Sequence, residues 1–189
     1  MLAYIFWHRP FAHVERGRYE ESILRFQGAL ARQKPPGFIA AVSFRIEPAP
    51  WLGDQPGYED WCMLEASWAM DPLNAFAVAG GAQAPHDQVA AQMEMGHGGL
   101  YAHAGGETPS TAQSSAYWLT RPRGIDWKAA LEPVRAQCPA ANVWRRQMVL
   151  GPGAEFAVCV PGDAEIAAPL GWQARRIRRV RLAGEPDGG

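Results

Sequence analysis

Tyr4-Ile5-Phe6-Trp7-His8-Arg9-Pro10 and, far downstream, Ala116-Tyr117-Trp118-Leu119-Thr120-Arg121-Pro122 carry one pattern twice. Each is an aromatic, β-favouring run that stops at Arg-Pro. Each leads into an amphipathic helix. Tyr19, Ile23, Phe26 and Leu30 form the apolar stripe of the first helix. Trp127, Leu131, Val134 and Cys138 form that of the second, at the same i, i+4, i+7, i+11 spacing. Repetition of both the run and the stripe predicts two copies of one unit.

Working outward, the first copy reads as a strand over residues 2–8, a helix over 15–32 and strands over 38–47 and 58–66. Pro35-Pro36-Gly37 stops the helix, and Pro48, Pro50, Gly53, Pro56 and Gly57 mark a long loop that holds Trp51. Asp71-Pro72 opens a helix that breaks at Gly80-Gly81 and restarts near Pro85, running to about Met95. A fourth strand follows over 100–104. The second copy reads as strand 116–121, helix 126–137, strands 142–150 and 155–160, a short helix 163–170 and strand 173–182. The fold class is therefore α+β: two tandem ferredoxin-like βαββαβ repeats, 1–105 and 116–184, joined by a linker, 106–115, and followed by a tail, 185–189. Each sheet would leave one apolar face uncovered, so the repeats are expected to pack sheet to sheet as one α/β barrel.

With 48% hydrophobic and 20% charged residues, the composition is that of a folded domain. No apolar run approaches the roughly 18 residues of a membrane span, and residues 1–10 do not read as a signal peptide. Cys62, Cys138 and Cys159 lie far apart in apolar contexts and read as reduced core thiols of a cytoplasmic protein, with no metal-ligand spacing. Residues 115–189 carry 11 Lys and Arg against 7 Asp and Glu, whereas residues 1–114 carry 7 against 12. Halves of opposite sign should attract. Arg175, Arg176, Arg178, Arg179 and Arg181 crowd the last strand. They read either as charge protecting an open edge or as cations for an anionic ligand or the acidic half. No motif points to nucleic acid or to a membrane.

Pro36-Gly37-Phe38 stands at the second strand, and Trp68 is followed by a helix opening at Asp71-Pro72 and containing Phe76. In these residues the first copy resembles the dimeric α/β-barrel superfamily, which includes antibiotic-biosynthesis monooxygenases and EthD-like and NIPSNAP-like proteins. The resemblance implies paired ferredoxin-like units and a small-molecule site. Here one chain would supply both units, as a monomer with a fused barrel or as a homodimer. It further implies cofactor-independent monooxygenase or isomerase chemistry on a small aromatic or carbonyl compound, with a non-catalytic ligand-binding or stress-related scaffold as the competing class. The haem-degrading branch implies one more alternative. Its haem-ligating His falls at His86, ten residues after Phe76, with His8 where that branch has Asn.

Strand alternation proposes the site. Tyr4, Phe6 and His8 share one face of the first strand, and Tyr101 and His103 one face of the fourth. Ser43 and Arg45 share a face of the second, and Trp61, Met63 and Glu65 a face of the third. If these faces point into the barrel, Tyr4, Phe6, Arg45, Trp61, Glu65 and Tyr101 bind substrate while His8 and His103 serve as acid/base groups. Arg45 would anchor an enolate or carboxylate. His97, in Gly96-His97-Gly98-Gly99, reads as a turn residue or lid. No cofactor is expected, haem on His86 being the alternative.

Overall fold

The computed structural model of the chain describes residues 1–106, 115–162 and 164–182. Most of the expected linker, and the whole expected tail, lie outside the described residues. The elements are β1 (Leu2–Pro10), α1 (Arg16–Gln33), β2 (Phe38–Ala49), β3 (Gln55–Leu64), α2 (Met70–Ala79), α3 (Gln83–Ala90), β4 (Met93–Gly105), β5 (Ser115–Thr120), α4 (Trp127–Gln137), β6 (Asn142–Leu150), β7 (Phe156–Val160) and β8 (Gln173–Arg181). All eight strands pair antiparallel around a closed barrel in the order β1-β3-β2-β8-β5-β7-β6-β4. A single chain closes the barrel.

Local chemistry sets the helix ends. The Glu15 carboxylate accepts from the backbone N–H groups of Gly17 and Arg18, and the Asp126 carboxylate does the same for Lys128 and Ala129. Lys34 leaves α1 in the left-handed region, and Pro35-Pro36 cannot continue a helix. The break between α2 and α3 falls at Gly80, as the glycine pair suggests. Two expected elements differ. Residues 93–95 belong to β4 rather than to the preceding helix, and Gly96-His97-Gly98-Gly99 lies inside that strand rather than in a turn. Residues 164–169 form no helix; Pro169 caps a short stretch of irregular chain whose Ile166 packs inward together with Trp172.

Strand alternation decides what fills the barrel. Ala3, Ile5 and Trp7 of β1, Val42, Phe44 and Ile46 of β2, Trp61 and Met63 of β3, Tyr101 of β4, Trp118 of β5 and Trp144 of β6 form one interior cluster. Trp51 joins it from the loop after β2 at 6% exposure, so it staples that loop to the core. The indoles meet edge to face: Trp7–Trp118 at 5.1 Å, Trp51–Trp118 at 5.4 Å and Trp61–Trp144 at 5.4 Å between centroids.

One ion pair sits among these rings. Glu59 is fully buried and accepts from Trp7 Nε1 at 3.0 Å, Trp61 Nε1 at 2.7 Å and Arg179 Nη1 at 2.9 Å. The Arg179 guanidinium lies over Phe44 at 4.4 Å and near Trp61 at 5.6 Å. The last strand is therefore no open edge: β8 pairs with β2 and with β5. Of the two readings of the arginine cluster, attraction to the acidic half is realised by Arg179 on Glu59 and Arg178 on Glu47.

Removing one partner of a sealed pair leaves the other charge uncompensated. Arg179→Met should therefore lower unfolding free energy by about 3–5 kcal/mol, measured by urea melts. A loss within 0.5 kcal/mol would show that Glu59 is satisfied by the two indoles alone.

Candidate functional site

The barrel interior holds a packed cluster of side chains, and a cleft lies on the opposite side of the sheet. Because successive strand residues alternate, the face of β1 that carries Tyr4, Phe6 and His8 turns away from the interior cluster and toward the helices. The expectation that these three residues, with Arg45, point into the barrel is thus reversed by one residue of phase. The physical reason is visible at Trp7 and His8. Trp7 brings the larger apolar surface and one N–H, which Glu59 accepts inside. His8 has two ring nitrogens to satisfy, and the helix side offers partners for both.

On that side β1 and β3, with α1, α2 and α3 above them, enclose a cleft of about 360 Å³. Its floor is Tyr4, Phe6 and His8 from β1 with Asp60 and Cys62 from β3; Phe6 stands opposite Asp60 and Tyr4 opposite Cys62 in the register. Its roof includes Phe26 of α1, Leu73, Asn74 and Ala77 of α2, and His86 and Val89 of α3. Tyr4, Phe6 and His8 make a ladder of near-parallel rings, with centroids 6.2 and 5.4 Å apart. The glycines of β4 make room for it: a Cβ at Gly98 would lie 2.6 Å from the Tyr4 hydroxyl, and one at Gly96 would overlap the tip of Phe6.

His8 is fully buried, with Nδ1 2.6 Å from the Tyr19 hydroxyl and Nε2 3.1 Å from Asp60 Oδ2. Burial and the nearby Asp60 charge raise the Tyr19 pKa, so the phenol keeps its proton and donates it to Nδ1. The tautomer that satisfies both ring nitrogens then carries its proton on Nε2, directed at Asp60. The result is a chain from Tyr19 through His8 to Asp60 beneath the cleft. Burial, reinforced by Asp60, also pushes the Cys62 thiol up to about 12. Cys62 is a protonated wall residue, not a nucleophile.

The residues singled out from the sequence divide into groups. Tyr4, Phe6, His8 and His86 line the cleft together. Trp61 and Tyr101 belong to the barrel interior, and His103 packs against Trp144 at 5.1 Å on the barrel side, across the sheet from His8. Arg45 lies on the outer face, but its Nη1 holds Glu20 of α1 at 3.0 Å and it does not line the cleft. Glu65 lies just past the end of β3 and is exposed. Sequence reading missed Asp60, Cys62, Asn74 and Tyr19. Alternation along Tyr58-Glu59-Asp60-Trp61-Cys62 held the signal for Asp60, but only the register identifies which face is the helix side. Among the described residues no cluster of three His, Cys, Asp or Glu side chains could hold a metal ion, and no helix is long and apolar enough to cross a membrane.

No known family profile matches the chain. No curated protein matches its sequence significantly. Solved structures do share its fold. A monooxygenase-like protein from Lactobacillus acidophilus NCFM superposes with a TM-score of 0.56 at 9% identity, over 96% of this chain and 95% of that one. An anthrone oxidase-like protein superposes with a TM-score of 0.51 at 9% identity, over 95% and 91%. A chlorite dismutase-like protein gives 0.49 at 12% identity, over 95% and 94%. The first two place the chain in the α+β barrel fold over nearly its full length. At such identities the likeness concerns the fold alone.

The glycine spacing makes the cleft sensitive to a single methyl group. Gly96→Ala should push the Phe6 ring into the cleft, because the ring tip is the movable partner. The expected outcome is weakened binding of planar aromatic probes, followed by calorimetry, with the melting temperature little changed. Unchanged binding would mean that Phe6 is not part of the ligand's seat.

Proposed function

We propose that this protein binds a small, planar organic molecule in the cleft between the β1–β3 face and helices α1–α3. We further propose that the Tyr19–His8–Asp60 chain handles a proton there, in cofactor-independent monooxygenase or isomerase chemistry on a small aromatic or carbonyl compound. The observation that carries this reading is a buried imidazole joined to a carboxylate and a phenol under an aromatic cleft. A volume of about 360 Å³ suits a compact ligand, and stacked rings suit a flat one. The names of two proteins with this fold support the same class of chemistry. The strand orders β4-β1-β3-β2 and β8-β5-β7-β6 support reading the chain as two copies of one ferredoxin-like unit, the second showing no second helix among the described residues.

Removal of a proton from a carbon conjugated with an aromatic carbonyl gives an enolate-type anion, which is electron-rich enough to react with dioxygen. The protein's part is to hold the carbonyl compound flat on the Tyr4–Phe6 ladder and to accept that proton at the Asp60 carboxylate, which His8 holds in place. Anthrone is the probe this reading selects. In air-saturated buffer without added cofactor, the wild-type protein should accelerate its conversion to the quinone, one atom of dioxygen becoming the new carbonyl oxygen and the other leaving as water with the two hydrogens of the oxidised carbon. His8→Ala should lower kcat by about 100-fold or more, while near-ultraviolet circular dichroism from the tryptophan cluster is retained. Aromatic probes that bind without turnover would identify a ligand-binding scaffold. Failure of every planar aromatic to bind would remove the reading altogether.

Haem is the second reading, because His86 lines the cleft and its Nδ1 lies 3.0 Å from Asp87 Oδ1, a pairing that orients ligating imidazoles. The fit fails at the propionates: the lining contains no Lys or Arg, and Asp60 would repel them. Haem titration should accordingly give no bound Soret spectrum. A Soret band that His86→Ala removes would reinstate haem.

A further inference from the structure

We infer that Asp60, rather than His8, is the group that meets the ligand, and that it selects a neutral molecule bearing an acidic O–H over an anionic one. The inference rests on the cleft being the ligand site. Both His8 nitrogens are engaged, one with Tyr19 and one with Asp60, so the imidazole has no lone pair left for a ligand. Asp60 differs. Its Oδ2 meets His8, but its Oδ1 is buried without a hydrogen-bond partner, on a residue only 8% exposed that lines the cleft. A buried carboxylate oxygen without a partner calls for a donor, and a ligand hydroxyl seated against Asp60 in the cleft would supply one. His8 is then a positioning residue: its Nε2–H fixes the carboxylate so that Oδ1 stays available.

Charge sets the selectivity. An ionised carboxylate accepts hydrogen bonds and donates none. Arg45, the cation nearest in the register, is held by Glu20 and does not line the cleft. The His86 ring faces Asp87. A ligand carboxylate would therefore bring a second negative charge beside Asp60 in a low-dielectric cleft with no cation to offset it. A phenol or enol brings a proton instead.

Three ligands with one ring system test this at pH 7 by calorimetry: 2-naphthol, 2-methoxynaphthalene and 2-naphthoate. The wild-type protein should bind 2-naphthol about tenfold or more tightly than either of the others, the worth of one charge-assisted hydrogen bond. Asp60→Asn should bring the naphthol-to-naphthoate ratio close to one, with circular dichroism confirming the fold. Naphthoate binding as tightly as naphthol, or methoxynaphthalene matching naphthol, would overturn the inference while leaving the cleft as a binding site. An unchanged ratio in folded Asp60→Asn would overturn it too. If none of the three binds, the cleft reading fails and the inference falls with it. The wild-type comparison decides the matter even if the variant does not fold.

Discussion

The Glu59 carboxylate, sealed inside the barrel, is the constraint on which the rest of the structure depends. It accepts from an indole of β1, an indole of its own strand β3 and a guanidinium of β8. Those donors come from both ends of the sequence, so the pair binds the acidic first half to the basic second half where salt cannot screen it. It also fixes register. A one-residue slip of β1 or β3 would carry Trp7 or Glu59 to the opposite face and leave a buried charge without its partners. The cost of such a slip makes the observed alternation the one the chain can adopt.

A barrel filled by Trp7, Trp51, Trp61, Trp118 and Trp144 has little room for a ligand. A cleft lies on an outer face of the sheet, and the two halves cover those faces differently. Against β5–β7, side chains from α4 and from the irregular segment before β8 close the gap: Leu131, Val134, Ile166 and Trp172 pack on Tyr117, Phe156 and Val158. Against β1–β3, the α2–α3 pair leaves a cleft. Gly96 and Gly98 keep the neighbouring strand low enough for Tyr4 and Phe6 to lie in its floor.

The chemistry available in that opening follows from what surrounds it. Its lining offers aromatic surface, a high-pKa thiol that stays protonated, and the carboxylate end of a buried hydrogen-bond chain. Such a set favours holding a flat molecule and managing one proton. It does not favour binding an anion, because the nearby cation Arg45 is already committed to Glu20. The fold shared with monooxygenase-like and anthrone oxidase-like proteins supplies the scaffold, and these side chains supply the reading.

Much of the architecture was legible from sequence, because strand and helix identity are local properties. The aromatic runs before Arg9-Pro10 and Arg121-Pro122, the Tyr19–Leu30 stripe and the Gly80-Gly81 break each act over a few residues, and each appears where the pattern puts it. Among the described residues of the short helix expected over 163–170, 164–169 are irregular, and Ile166 packs inward with Trp172 rather than along a helix face. Alternation likewise determined that Tyr4, Phe6 and His8 travel together, and that Asp60 and Cys62 share a face. Which face looks inward was not local. It depended on Trp7 finding Glu59, on Glu59 finding Arg179 120 positions away, and on His8 finding Tyr19 and Asp60 across the sheet. The sequence by itself determined the elements and the residues that move as sets; only the tertiary structure decided which set meets the core and which the cleft, because that choice is made by hydrogen-bond partners that a strand cannot supply to itself.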